Sequence, residues 1–263
     1  MEKLGFIGMG NMGQALAAGF LSSGKVKREQ VCAFAPDAAK LAKNAERIGF
    51  HPVDSVKELV RGCDTLVLCC KPYQVSGVLS EIRGLLAGKT LLSIALGWDF
   101  KRLSDALPGT VSIQFIMPNT PAMAGEGVFL FEEEHSLEPR EREALMELFG
   151  DFGYVTELPS RLMGIGGAVS GCGPAFVDLL IEAYADAAVR YGMPRETAYR
   201  IVSQTVLGAA KLQSVTGLHP GVLKDQVCSP GGTTIRGVAA LERSGFRSAC
   251  MASVDAVMGH EQS

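Results

Sequence analysis

The sequence predicts an α/β fold, with a doubly wound parallel sheet over residues 1–159 and an all-helical domain over residues 160–263. Three observations carry this. Short apolar runs alternate with helical stretches as far as Glu157. The glycine-rich turn Gly8-Met9-Gly10-Asn11-Met12-Gly13 sits directly between the first run and the first helix. After Pro159 no strand pattern survives.

The elements follow in order. Residues 3–7 form the first apolar run, and residues 12–22 read as a helix. Residues 31–35 form a second run, stopped by Pro36, and a charged helical pattern extends to about Arg47. Residues 65–70 are continuously apolar, as expected of a strand buried on both faces. Residues 91–95 and 111–116 extend the series, while 128–131 and 154–157 flank the charged helix 139–149. Right-handed crossovers bring the strand C-termini to one edge, where a ligand crevice is expected. Beyond the boundary, residues 161–191 read as one long helical stretch. Residues 194–214, 221–228, 233–243 and 248–258 read as further helices.

Composition narrows the function. Of 263 residues 31 are glycine and only 12 proline, so the glycine excess is no linker signature. With 47% hydrophobic and 20% charged residues the chain buries a large core. The net charge of −3 and the lack of a basic block argue against nucleic acid as a partner. The seven cysteines include no Cys-x-x-Cys, which suits a reducing cytoplasm better than a disulfide framework. Asn11 and Gln14 interrupt the N-terminal apolar stretch and speak against a secretion signal. The most apolar stretch, residues 164–189, carries Asp178, Glu182 and Asp186, so no membrane partner is expected. No His/Cys/Asp/Glu cluster has metal-ligand spacing, and no metal is expected.

The first glycine cluster is a G-x-G-x-x-G in strand–turn–helix context, the fingerprint of a Rossmann-type dinucleotide site. Gly8 serves the tight turn, Gly10 the approach of a pyrophosphate, and Gly13 close helix–strand packing. Asn11 and Met12 open the helix whose N-terminus faces the phosphates. An NAD site usually ends its second strand on an acid, but here Cys32-Ala33-Phe34-Ala35-Pro36 precedes the first carboxylate, Asp37. That leans toward NADPH, with NADH possible. Lys71-Pro72 ends the third strand at the ligand edge, as a ribose contact or as a solvated strand end. Asn119 lies between Pro118 and Pro121, where it either meets the cofactor or forms a rigid turn.

Two further clusters lie in the helical domain. Ser170-Gly171-Cys172-Gly173-Pro174-Ala175 opens it, with glycines that permit close approach of another backbone or a ligand. Ser229-Pro230-Gly231-Gly232-Thr233-Thr234 precedes an amphipathic helix and offers backbone N–H groups to a carboxylate. Helix capping explains one hydroxyl there but not the paired glycines. Lys224 and Asp225 either support this loop or form a surface pair, and His219 reads as a turn residue.

Together these motifs resemble the pyrroline-5-carboxylate reductase family, with the Pro-Gly-Gly-Thr-Thr segment as the most specific signal. Cys172 stands where that family often has serine. The resemblance implies NADPH-dependent reduction of L-1-pyrroline-5-carboxylate to L-proline. It also implies a helical dimerisation domain, intertwined in a homodimer or in larger assemblies of dimers. Within it, Ser229, Gly231, Gly232, Thr233 and Thr234 are expected to hold the substrate, with Thr234 at the ring nitrogen. A β-hydroxyacid-type dehydrogenase and a non-catalytic nucleotide sensor are the rival readings.

Overall fold

A computed structural model describes residues 3–259, which fall into two compact units dividing after Gly171. The first holds one eight-stranded sheet of order β3-β2-β1-β4-β5-β6-β7-β8. Its strands are β1 (Leu4–Ile7), β2 (Val31–Phe34), β3 (His51–Pro52), β4 (Thr65–Leu68), β5 (Thr90–Ser93), β6 (Ser112–Pro118), β7 (Gly127–His135) and β8 (Gly153–Leu158). The helices are α1 (Asn11–Ser22), α2 (Ala38–Ile48), α3 (Val56–Gly62), α4 (Pro72–Ile82), α5 (Phe100–Ala106), α6 (Pro139–Gly150) and α7 (Ser160–Gly171).

Strands β1 to β6 are mutually parallel in the order 3-2-1-4-5-6 of a doubly wound dinucleotide fold. The order reverses between β1 and β4, which opens the crevice where their C-termini diverge. Two details depart from the sequence-based expectation. First, β7 runs antiparallel to β6. Only a short 3-10 turn (Thr120–Ala124) joins them, too short for the crossover that parallel strands require. Helix α6 then supplies that crossover, and β8 is parallel to β7. Second, β3 is a two-residue edge strand, too short for a period-2 pattern, and its Pro52 suits an edge because it lacks an N–H.

Successive residues of β1 feed opposite faces of the sheet. Leu4 and Phe6 join one apolar cluster with Phe20, Phe129 and Phe149, and Ile7 joins the other with Leu66, Leu79 and Trp98. In the first cluster Phe20 meets Phe149 edge-on at 5.0 Å and Phe152 at 5.5 Å. Arg142 of α6 fixes the antiparallel addition. Its guanidinium donates to Gln114 Oε1 and the Glu132 carbonyl, each at 3.1 Å, and pairs with Glu157 at 3.0 Å.

Residues 161–191 are not one helix. The chain breaks at Cys172 between α7 and α8 (Gly173–Arg190). Helix α7 belongs to the first unit, seated on β6, β7 and β8. Gly166 and Gly167 allow this: side chains there would run into Leu130 and Leu158, and into the Met117 sulfur, respectively. By length and composition alone Ser160–Arg190 is apolar enough to cross a bilayer, with an 18-residue window of mean hydropathy 1.4. Its first half instead covers a sheet.

The second unit contains α8, α9 (Arg195–Thr216), α10 (Pro220–Gln226), α11 (Thr233–Arg243) and α12 (Phe246–Val257). Helices α8 and α9 pack as an antiparallel pair with Ala185 and Ala198 buried. Most other apolar side chains of this unit, among them Leu179, Ile201, Leu212 and Val215, are exposed in the single chain.

Candidate active site

A candidate cofactor cleft lies at the switch point of the sheet. A cleft of about 310 Å³ is lined by the C-terminal ends of β1, β2 and β4: Gly8 to Gly10, Phe34 to Asp37, and Cys69 to Lys71. The three glycines of the turn divide their work. Gly8 has φ +99°, and a Cβ there would lie 2.8 Å from the Cys70 nitrogen. Gly13 sits where a Cβ would press to 2.9 Å on the Gly8 carbonyl. Around Gly10 a Cβ would meet nothing within 4 Å, so the chain's own packing does not require glycine there. A bare backbone facing an open cleft at the start of α1 fits a pyrophosphate.

The turn is braced from behind. Gln14 Nε2 donates to the Met9 carbonyl at 3.1 Å, and Arg47 of α2 donates to the Gln14 Oε1. Opposite, Lys71 is the N-cap of α4, and its backbone N–H donates to Gln74 Oε1 at 3.1 Å. Trp98 Nε1 donates to the Pro72 carbonyl at 3.1 Å and ties this wall to the loop after β5. Asn11 and Met12 begin α1, with Met12 partly buried against the core.

Asn119 takes another place. It is buried, its amide nitrogen donates to the Ser170 carbonyl at 3.0 Å, and its oxygen accepts from the Val128 N–H at 2.8 Å. Both ends of the side chain thus clamp β7 and α7, and Asn119 does not line the cleft.

Sequence reasoning missed one wall. Asp37, Lys40, Leu41 and Asn44 line the cleft from one face of α2. Their spacing of 3, 1 and 3 residues is helical, and a periodicity test on this charged stretch finds it. Asp37 caps the helix by accepting from the Lys40 N–H at 2.9 Å. Asn44 Nδ2 is buried with no hydrogen-bond partner, a state that costs about 1–3 kcal/mol until a ligand satisfies it. This orphaned donor and the open backbone at Gly10 are what a cleft built for a nucleotide shows.

Burial keeps both cleft thiols in the protonated form. Desolvation pushes the Cys70 thiol up to about 11, and burial holds Cys69 well above the ordinary thiol range. At pH 8 roughly 0.1% of Cys70 is then thiolate, against about 10% for a thiol of pKa 9. Iodoacetamide at pH 8 is expected to label Cys70 about 100-fold slower in the native protein than in urea, with the native rate climbing toward pH 11. Equal rates in mass-spectrometric mapping would contradict this environment.

A second candidate feature lies in the helical unit itself. Gly231 takes φ +67°, and Gly232 is the N-cap of α11. A Cβ on Gly232 would fall 2.4 Å from the Ser229 hydroxyl, so the loop is drawn tight around that oxygen. The Gly232 N–H donates to the Ser229 carbonyl at 3.0 Å, and the N–H groups of Thr233 and Thr234 begin α11 without an intrahelical acceptor. Ser229, Thr233 and Thr234 are all exposed in the single chain. His219 caps α10, its Nδ1 accepting from the Gly221 N–H at 3.1 Å, and Lys224 pairs with Asp225 at the surface. Gly171 and Gly173 face open space in the single chain. Among the described residues no three metal-ligating side chains cluster.

Comparisons with known proteins agree with this arrangement. The family profile for pyrroline-5-carboxylate reductase dimerisation matches residues 160–263, and that for NADP oxidoreductase, coenzyme F420-dependent, matches residues 3–97. The chain is 39% identical over 258 residues to the pyrroline-5-carboxylate reductase of Escherichia coli K12, covering 98% of this chain and 96% of the relative. The crystal structure of Plasmodium falciparum pyrroline carboxylate reductase with NADP bound superposes with a TM-score of 0.87 at 34% identity, covering 98% and 96% of the two chains. A 3-hydroxyisobutyrate dehydrogenase of Mycobacterium tuberculosis, 15% identical with a TM-score of 0.53 over 89% of this chain and 72% of the other, shares the fold alone.

Proposed function

Because this chain belongs to the pyrroline-5-carboxylate reductase family, we propose that its glycine cleft and its Ser229–Thr234 loop carry one reaction, the NADPH-dependent reduction of L-1-pyrroline-5-carboxylate to L-proline. The enzyme is an NADP-linked oxidoreductase of proline biosynthesis, and its helical domain makes it a homo-oligomer. The observation that carries the substrate reading is the 229–234 loop, where a left-handed glycine, a glycine N-cap and three hydroxyls converge on one helix start.

In this reading residues 1–159 bind the dinucleotide and residues 160–263 bind substrate and dimerise, as an intertwined pair or a larger assembly of pairs. Gly8, Gly10, Asn11, Met12, Gly13, Lys71 and Pro72 hold the cofactor. Asn119 supports the cleft from behind, through β7 and α7. When bound, NADPH supplies the hydride. The N–H groups around Gly232 and Thr233, with the Ser229 hydroxyl, fix the substrate carboxylate. Thr234 holds the ring nitrogen in its protonated, iminium form. As the C=N carbon accepts hydride, its π pair passes to that nitrogen, which already carries the proton of the product amine. No carboxylate or imidazole stands in the loop itself, so orientation rather than strong acid catalysis is the protein's part. All seven cysteines are free, which supports a cytoplasmic location.

The test is an NADPH-oxidation assay with the imine. Thr234→Ala is expected to lower kcat by about 10²-fold through lost orientation, with Thr234→Ser restoring most of it. Unchanged kcat/KM in the alanine variant removes Thr234 from the reaction. Turnover of hydroxyacids in place of the imine favours the rival dehydrogenase reading.

A further inference from the structure

We propose that Lys40 and Asn44, one turn apart on α2, read the 2′-phosphate of the cofactor and so set the preference for NADPH over NADH. The inference rests on the NADPH reading above and names the residues that enforce it.

Four observations converge. Where β2 ends, the position of an acid that would hold a free ribose 2′-hydroxyl is filled by Phe34-Ala35-Pro36, all of which line the cleft. The first carboxylate beyond them, Asp37, is spent on the Lys40 N–H as the cap of α2. Lys40 lines the same cleft, is exposed, and makes no ion pair among the described residues. Asn44 lies four residues further on, hence on the same face, and its Nδ2 is, among the described residues, a buried side-chain donor without a partner.

An orphaned donor and an uncommitted ammonium side by side call for an anionic acceptor. With Asp37 at −1 and Lys40 and Lys71 at +1 each, the charged side chains lining the cleft sum to +1. The pyrophosphate is accounted for by the turn at Gly10 and the start of α1. What remains at the β2–α2 end is the adenosine ribose, and the anion there is a phosphate on its 2′-oxygen. Asn χ2 is a soft torsion, so a turn about it delivers the unspent N–H into the cleft without a change of backbone. Lys40 supplies the charge and Asn44 the direction.

The experiment is calorimetric titration of the full-length enzyme with 2′,5′-ADP and with 5′-AMP, which share everything but the phosphate in question. Lys40→Ala is expected to weaken 2′,5′-ADP by about 10- to 100-fold and 5′-AMP by less than about twofold. Asn44→Ala is expected to weaken 2′,5′-ADP by about 5- to 10-fold, and Asn44→Asp by more, because it turns a donor into a like charge. The ratio of kcat/KM for NADPH to that for NADH falls in parallel. Without nucleotide, Asn44→Ala keeps or raises the melting temperature, since it removes an unsatisfied donor; a purely structural Asn44 would lower it. Equal losses for both nucleotides, or an unchanged 2′,5′-ADP affinity, overturn the assignment to these two residues. A wild-type enzyme that binds 5′-AMP as tightly as 2′,5′-ADP instead overturns the NADPH reading itself.

Discussion

Gly10→Ala is expected to fold and melt within a few degrees of the wild type while losing about 10²-fold in NADPH affinity, whereas Gly8→Ala is expected to lose stability first. The two glycines stand two residues apart in one turn, yet their surroundings differ. A Cβ at Gly10 meets no atom of the chain, and its backbone, φ −73° and ψ −173°, is open to any residue. The added methyl therefore displaces only what approaches from the cleft, and a misplacement of about 1 Å there is enough for a 10²-fold loss. At Gly8 the backbone is left-handed, and the new Cβ would press on the Cys69–Cys70 peptide. Strain and overpacking together cost about 2–5 kcal/mol, or roughly 5–15 °C in a chain of this size. Calorimetric melting beside a fluorescence titration with NADPH separates the two. A Gly10→Ala enzyme that binds NADPH normally would show that the cofactor backbone passes elsewhere.

Leu212→Asp is expected to break the oligomer and with it the activity. Along α9 the residues Ile201, Gly208, Leu212 and Val215 recur at helical spacing and form one stripe of the helix. Ile201, Leu212 and Val215 are 50%, 52% and 73% exposed in one chain. Among the described residues the helical unit contributes none to the three apolar clusters, as expected of a dimerisation domain completed by a second copy. Covering each such leucine or isoleucine is worth about 1.5–3 kcal/mol, while an aspartate there must be desolvated unpaired. The wild type should melt at a temperature that rises with protein concentration, and Leu212→Asp should elute as a monomer of reduced helicity. Retention of the dimer and of turnover in that variant would place the interface on another face.

How much was legible depended on the range of the interaction. The parallel strands β1, β2, β4, β5 and β6 follow from apolar runs spaced by helices, because a buried parallel strand must be apolar throughout and each crossover needs its helix, whereas the two-residue, exposed β3 offers no such run. The glycine turn was legible for the same local reason. The antiparallel β7 was in principle readable from the short link after Pro118, but the alternation rule overrode it. For Asn119 the sequence left a ligand contact and a rigid turn both open. Two flanking prolines do fix its backbone, yet whether its amide faces a ligand or a carbonyl depends on Val128 and Ser170, distant in sequence.

The sequence by itself determined the doubly wound domain, the glycine turn, the helical second half and the Ser229–Thr234 loop, since each is written in residues close together along the chain. Only the tertiary structure decided that α7 belongs with the sheet, that Gly8 and Gly10 carry different burdens, and that Lys40 and Asn44 wall the cleft. Those are facts about which atoms meet across the fold. Burial leaves one donor unspent and one backbone bare, and neither is visible until the strands and helices are in place.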